Sequence, residues 1–398
     1  MIPQIDSEIG ILVYSTTFAG CGGKIRKDKE DFLVNEILSE KSLDKIKESY
    51  GYAVYKLKKR GIDTNHALEK IFKKTGVRLK ALGLKDASAI TEQYVSANHR
   101  TKSLDDFRTD KFSLHKVGFT KKPLSKKDMI GNHFEIKVFE SKSNITEFEE
   151  HKKILNFFGY QRFGSKRPVT HLIGKAILQG DFSNAVDSLL SFTSIYDSKE
   201  NTELRKMMRQ RENYSEIIQK IPPQMDLERT VMNQMILHSD PKKAIRALPV
   251  SMRRFFVQAY QSFLFNKTLS LAFQDGEELF SLKDDDICFD KDGNIGKFSK
   301  GLDQKLAIPL VGYSYYKKTR FHHQISKILE SEEIQPKNFF IKEMQEASSE
   351  GGFRNSSIVC TDFSIVGDVV KFTLSRGSFA TMVLREIMKP DDPLSAGF

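Results

Sequence analysis

The sequence predicts an α+β protein in which two strand-rich ends enclose a helical middle. Three observations carry this reading. Before about residue 140, short runs alternate apolar and polar residues at period two, as half-buried strands do. From Ser165 to about Gly351 the apolar spacing changes to three and four residues, one helical pattern following another. After Ser357 the strand pattern returns and folds about a Gly367-Asp368 turn.

In chain order, the first strand covers Phe32 to Ile37, with Phe32, Val34 and Glu36 on one face and Leu33, Asn35 and Ile37 on the other. Tyr50 to Leu57 alternates aromatic and aliphatic residues and reads as a second strand. Asp63 to Lys74 is a helix, capped by Asp63 or Thr64, striped by Leu68, Ile71 and Phe72, and stopped by Gly76. Strands follow at Ile90 to Val95 and Lys111 to Phe119, then an exposed basic loop from Thr120 to Lys127. Gly131 to Val138 is a strand that places Asn132, Phe134 and Ile136 on one face. Ile145 to Phe158 reads as helical and runs into Phe158 to Gly164, an aromatic junction carrying Arg162. Helical periodicity covers Thr170 to Leu190, Glu203 to Gln219, Arg253 to Phe273 and Ile334 to Ala347. Ser357 to Val366 and Val369 to Leu374 form a hairpin, and Ser378 caps a closing helix from Met382 to Met388.

Composition narrows the function. Lys and Arg exceed Asp and Glu by 11 charges in 398 residues, which suggests a polyanionic partner, most often nucleic acid. Cys21, Cys288 and Cys360 are odd in number and far apart, so neither a disulfide framework nor a Cys-x-x-Cys zinc site is indicated. The nine His do not fall into ligand spacings with them. No apolar run reaches the ~18 residues of a membrane span, and the start lacks the order of a signal peptide. A reduced, cytoplasmic protein is expected. Gly20 to Lys24 resembles a phosphate loop, but Ile25 stands where the Walker pattern needs Ser or Thr. Asp290 to Gly293 lacks the ligand ladder of a calcium loop.

The stretch from Leu82 to Ser96 has the most chemical potential. An apolar approach meets Gly83, then Lys85-Asp86, then small residues before the strand. Such a turn can set the Asp86 carboxylate at the mouth of a cleft beside a cation, where it can act as nucleophile or base. A polar turn in which Asp86 caps the next segment reads the same way.

Five motifs in order resemble the TruD family of tRNA pseudouridine synthases. They are Gly83, Lys85, Asp86, Ala89, Thr91 and Gln93; Glu30, Asp31, Phe32, Val34 and Glu36 with Arg26 upstream; Gly131, Asn132 and Phe134; Phe158 to Gly164; and Gly377 to Glu386. Lys29 stands where family members usually have Pro, and Phe157 where they usually have Tyr.

The resemblance implies a pseudouridine-synthase-like catalytic domain with a mixed, mostly antiparallel sheet. It would be built from residues 1–155 and 352–398 around a mainly helical TRUD insertion domain at 156–351. It implies isomerisation of uridine to pseudouridine, at position 13 of tRNA, with no metal or cofactor. The partner would be tRNA, other RNA being left open; nothing in the sequence demands more than a monomer. Asp86 would be the essential carboxylate, kept ionised by Arg26 or, second, by Lys85, with Glu30 orienting Arg26. Phe32 and Phe379 would contact the flipped base, with Asn132 hydrogen-bonding to it and Phe134 beside it. The alternative is a non-catalytic RNA-binding protein on the same scaffold.

Overall fold

The computed structural model describes residues 1–47, 50–85, 87–97, 104–151 and 153–398, with only the backbone of Glu150. Its strands are β1 (Phe32–Leu38), β2 (Tyr52–Arg60), β3 (Leu79–Ala81), β4 (Ile90–Ala97), β5 (Phe107–Arg108), β6 (Phe112–Thr120), β7 (Met129–Lys137) and β8 (Lys153–Leu155). The middle adds β9 (Ile287–Asp290), β10 (Ile295–Lys297), β11 (Gln304–Leu310) and β12 (Gly352–Asn355). The end adds β13 (Ser357–Val359), β14 (Thr361–Val366) and β15 (Val369–Ser375).

Both ends of the chain enter one nine-stranded sheet ordered β14-β15-β7-β1-β4-β2-β6-β5, with β3 on β4. Within it β1 and β4 run parallel, Val34 beside Thr91, and the other described pairs are antiparallel. The sheet is therefore mixed and mostly antiparallel, with its parallel seam near the centre.

Alternation along β1 decides what each face carries. Phe32, Val34, Glu36 and Leu38 are buried, and their register partners Ile136, Phe134 and Asn132 on β7 share the inner face of the first three. Phe134 in turn faces Phe372 of β15, and this end of the sheet packs into the large core shared with the helical middle. At the other end Tyr55, Leu57, Val95 and Leu114 pack on Ala67 and Ile71 of the helix Thr64–Thr75. Asp63 caps that helix by accepting from the His66 N–H, and Gly76 ends it at φ +71°. Between the two apolar clusters the same face carries Lys59, Thr91 and Gln93, all buried and polar. The sheet thus has a polar strip between two apolar covers, and the strip is where a cleft can form.

The structure departs from the periodicity in several places, Glu203–Gln219 among them, where the helix Lys199–Met207 ends and short 3-10 turns, Arg211–Asn213 and Ile218–Lys220, flank Tyr214–Ile217. Thr170–Gln179 and Phe182–Ser191 are two helices, broken where Gly180 takes φ +76°. The helix expected over Ile145–Phe158 is a 3-10 segment, Ile145–His151, followed by β8, which pairs with β13 some 200 residues later; local spacing cannot reveal that partner. The Ile334–Ala347 stretch forms 3-10 turns, and β12 pairs with β11 inside a four-stranded sheet. The chain rejoins the large sheet only at β14.

Buried charges stitch the two ends together. Arg385 on the closing helix Ala380–Met388 donates to Asp6 at 2.6 Å, and the Tyr160 hydroxyl donates to the same carboxylate at 2.6 Å. Glu386 accepts from the backbone N–H groups of Ser15 and Thr16. Removing one member of such a buried pair typically costs about 3–5 kcal/mol, so this lock holds the closing helix in a fixed place. Cys21, Cys288 and Cys360 are buried free thiols. Among the described residues no helix is long and apolar enough to cross a membrane.

Candidate active site

At the parallel seam lies a cleft of about 210 Å³ lined by Arg26, Phe32, Lys85, Asn132, Phe134 and Phe379, among others. It is smaller than the ~300–1,000 Å³ pockets that enclose drug-sized ligands, a size suited to a single base. These residues come from positions as distant as 26 and 379 because β1, β7 and β15 are neighbours in the sheet.

Phe32 is 4% exposed, and the Arg26 guanidinium lies over its ring at 4.1 Å. Arg26 adopts φ +59°, which costs a non-glycine residue energy, and donates to the Gly397 carbonyl at 3.2 Å. The C-terminal turn thus helps hold this cation beside the cleft. Phe134 meets Phe32 edge-on at 6.4 Å and stacks on Phe372 at 5.4 Å, so it forms the floor. Phe379 is different: it is half-buried and stands at the N-cap of the closing helix. Ser378, expected as that cap, instead lines the cleft and makes no capping bond, because the helix begins at Ala380. Gly159 lets the aromatic junction reach this wall; a Cβ there would lie 2.8 Å from Thr381 Oγ1 and 3.1 Å from the Phe379 ring.

Lys85 is held by backbone and side chain together. Its N–H donates to Thr64 Oγ1 at 2.9 Å and its carbonyl accepts from the Thr64 N–H at 3.1 Å. Its ammonium donates to Asn132 Oδ1 at 2.7 Å and lies 3.6 Å from Glu36 Oε1. Glu36 also accepts from the Tyr94 N–H at 2.8 Å, and its side chain has no exposed surface. Burial pushes the Glu36 carboxyl up and the Lys85 ammonium down; each partner's charge opposes the other's shift. Gly83 has no left-handed φ, and a Cβ there would make ordinary contact with Lys85 Nζ at 3.4 Å.

The remaining expectations separate. Asp86 lies outside the described residues; Lys85 before it lines this cleft, and Ala87 after it lines an adjoining one. Glu30 does not orient Arg26: it is exposed and pairs with Arg60 at 2.5 Å, because the 3-10 turn Lys29–Asp31 carries it outward. The first charged partner of Lys85 is Glu36, a residue the motif contained and the sequence left without a role. Gln161 and Thr381 also line the cleft; Gln161 sits inside the aromatic junction whose density was the only sequence signal. Leu84, 70% exposed, stands at its rim. The adjoining cleft is about 670 Å³ and carries Arg26, Lys27, Lys29, Arg60 and Lys166 against Asp28 and Glu30, a net-basic surface suited to phosphates.

Among the described residues no group of three His, Cys, Asp or Glu side chains is placed to hold a metal ion. The geometry offers a stack of aromatic rings, an amide, a fixed cation and a basic approach. Such a set can receive an extruded base and hold it away from water.

A family model described as tRNA pseudouridine synthase D (TruD) matches residues 8–387. A protein of Methanosarcina acetivorans described as probable tRNA pseudouridine synthase D is 30% identical over 439 residues, covering 98% of each chain. One of the same description from Pyrococcus furiosus is 30% identical over 410 residues, covering 96% of this chain and 99% of its own. The crystal structure of a Methanosarcina mazei protein described as a tRNA pseudouridine synthase D superposes with a TM-score of 0.78 at 28% identity, covering 99% of both chains.

Proposed function

The chain belongs to the tRNA pseudouridine synthase D (TruD) family, and from that premise we propose that it isomerises uridine 13 of tRNA through the carboxylate of Asp86, with no cofactor. The reaction breaks the N1–C1′ bond, turns the uracil and rejoins it through C5. Asp86 either attacks the nucleoside or removes the C2′ proton; both require the ionised carboxylate, and Arg26 is the cation assigned to keep it so. The observation that carries the reading is the meeting of Arg26, Phe32, Lys85, Asn132 and Phe379 from both chain ends at one base-sized cleft.

The target uridine leaves the stack at a cost of a few kcal/mol. Stacking on a ring returns ~1–3 kcal/mol per base, and Phe379 is the ring with a free surface to offer. Phe32 and Phe134 close the other side, Asn132 meets the base edge, and the basic groove through Arg60 and Lys166 takes the flanking phosphates.

The test is incubation of pure protein with unmodified tRNA, chemical mapping of pseudouridine and measurement of free uracil. Pseudouridine at one tRNA position is expected from the natural chain and none from Asp86→Asn, with tRNA binding kept. Product from the Asp86→Asn variant would refute the role of Asp86. Binding without product from the natural chain would make it a non-catalytic RNA binder, and free uracil would make it a glycosylase.

A further inference from the structure

We propose that the buried Glu36–Lys85 pair is a positioning device for Asn132, turning its amide so that only N–H donors face the base. This rests on the cleft being the uridine site. The contacts run in series: the Tyr94 N–H anchors Glu36 Oε2 at 2.8 Å, Glu36 Oε1 faces Lys85 Nζ at 3.6 Å, and Lys85 Nζ donates to Asn132 Oδ1 at 2.7 Å. An ammonium can only donate, so the amide atom facing Lys85 is the oxygen. No described protein group accepts from Asn132 Nδ2, and Asn132 lines the cleft. The amide is left with two N–H donors for a ligand.

The strand register makes the arrangement. Glu36 lies directly opposite Asn132 in the β1–β7 ladder, so both project from the inner face, and the loop before β4 lays Lys85 across them. Lys85 is fixed at its own backbone by Thr64, which limits how far its ammonium can wander. A buried ion pair of this kind is a poor stability device, since well-packed neutral residues often do as well or better. Its position one hydrogen bond from a cleft residue accounts for it as a device of orientation. A donor-only amide suits a carbonyl oxygen of uracil and opposes an amino group in the same place, as cytosine would offer at C4.

Lys85→Met alone would leave the Glu36 carboxylate buried and unpaired and is expected to destabilise the fold. The test therefore uses Glu36→Gln with Lys85→Met, Asn132→Ala, the triple variant and Asn132→Asp, each checked for folding by circular dichroism. Single-turnover pseudouridine formation and tRNA affinity are measured for each. The paired variant is expected to lose roughly 10- to 100-fold in rate, the scale of a small misplacement, with affinity within about twofold of the natural chain. In the Asn132→Ala background the same pair of changes should cost less than about threefold, because its route of action is gone. Asn132→Asp keeps an acceptor for Lys85 but loses the donors, and should be at least as slow as Asn132→Ala. A paired variant at full rate, losses that multiply in the triple variant, or a fully active Asn132→Asp would overturn the proposal. If the natural chain makes no pseudouridine, the functional reading fails first and takes this one with it; an active natural chain with an unaffected paired variant sinks this one alone.

Discussion

Replacing Phe379 by Ala separates a ring that stacks on RNA from rings that merely fill a core. Phe379 is half-buried, touches Phe158 edge-on at 6.0 Å and has its remaining surface on the cleft. Phe32 is 4% exposed and has the Arg26 guanidinium over its ring. A fully buried Phe→Ala change costs about 3–5 kcal/mol, and a half-buried ring roughly half of that. Phe379→Ala should therefore lower stability by about 2 kcal/mol, and Phe32→Ala by about 3–5 kcal/mol. A lost base stack of ~1–3 kcal/mol corresponds to roughly 5- to 150-fold in tRNA affinity or rate. Phe379→Leu is the decisive variant, because it returns most of the volume without an aromatic face. Urea unfolding should place it within about 1 kcal/mol of the natural chain, while single-turnover kinetics and filter binding still show the loss. If Phe379→Leu forms pseudouridine at the natural rate and binds tRNA as tightly, the ring does not stack on the target and the reasoning is wrong.

Two further outcomes follow from the geometry. Glu30→Gln breaks an exposed pair with Arg60, worth about 0–1 kcal/mol, and should leave the turnover number within about twofold; a loss of tenfold or more in steady-state assays would return Glu30 to the active site. His171 stacks on Phe263 at 5.0 Å, and burial pushes its imidazole from 6.5 down to about 4. Below pH 6.5 the unfolded chain takes up a proton that the fold refuses, so stability falls as pH drops from 6.5 toward 4, by up to about 3 kcal/mol. His171→Phe should flatten this limb in urea titrations at pH 7 and pH 4.5; an unchanged pH slope would show that the imidazole is already charged in the fold.

Period-two alternation needs nothing beyond neighbouring residues, and so the inner face of β1, with Phe32, Val34 and Glu36, was legible from the chain alone. The same holds for the helix Thr64–Thr75 between its Asp63 cap and Gly76, and for Asn132 and Phe134 as one strand face. The motifs around Lys85, Asn132 and Phe379 were legible as a set, and the family to which the chain belongs accounts for their order. Which side chains touch was another matter. Glu30 went to Arg60 rather than to Arg26, and the Lys85 ammonium went to Asn132, 47 positions away, with Glu36 behind it. The Arg26 guanidinium settled on Phe32 and on a carbonyl 371 positions distant. Spacing rules reach about four residues along a helix or one face of a strand, whereas partners are chosen by sheet order and by the closing helix locked through Arg385 and Asp6. The chain by itself therefore determined the elements and the residue types brought to the cleft; the packing of its two ends decided which ring kept a bare face and which charge was buried.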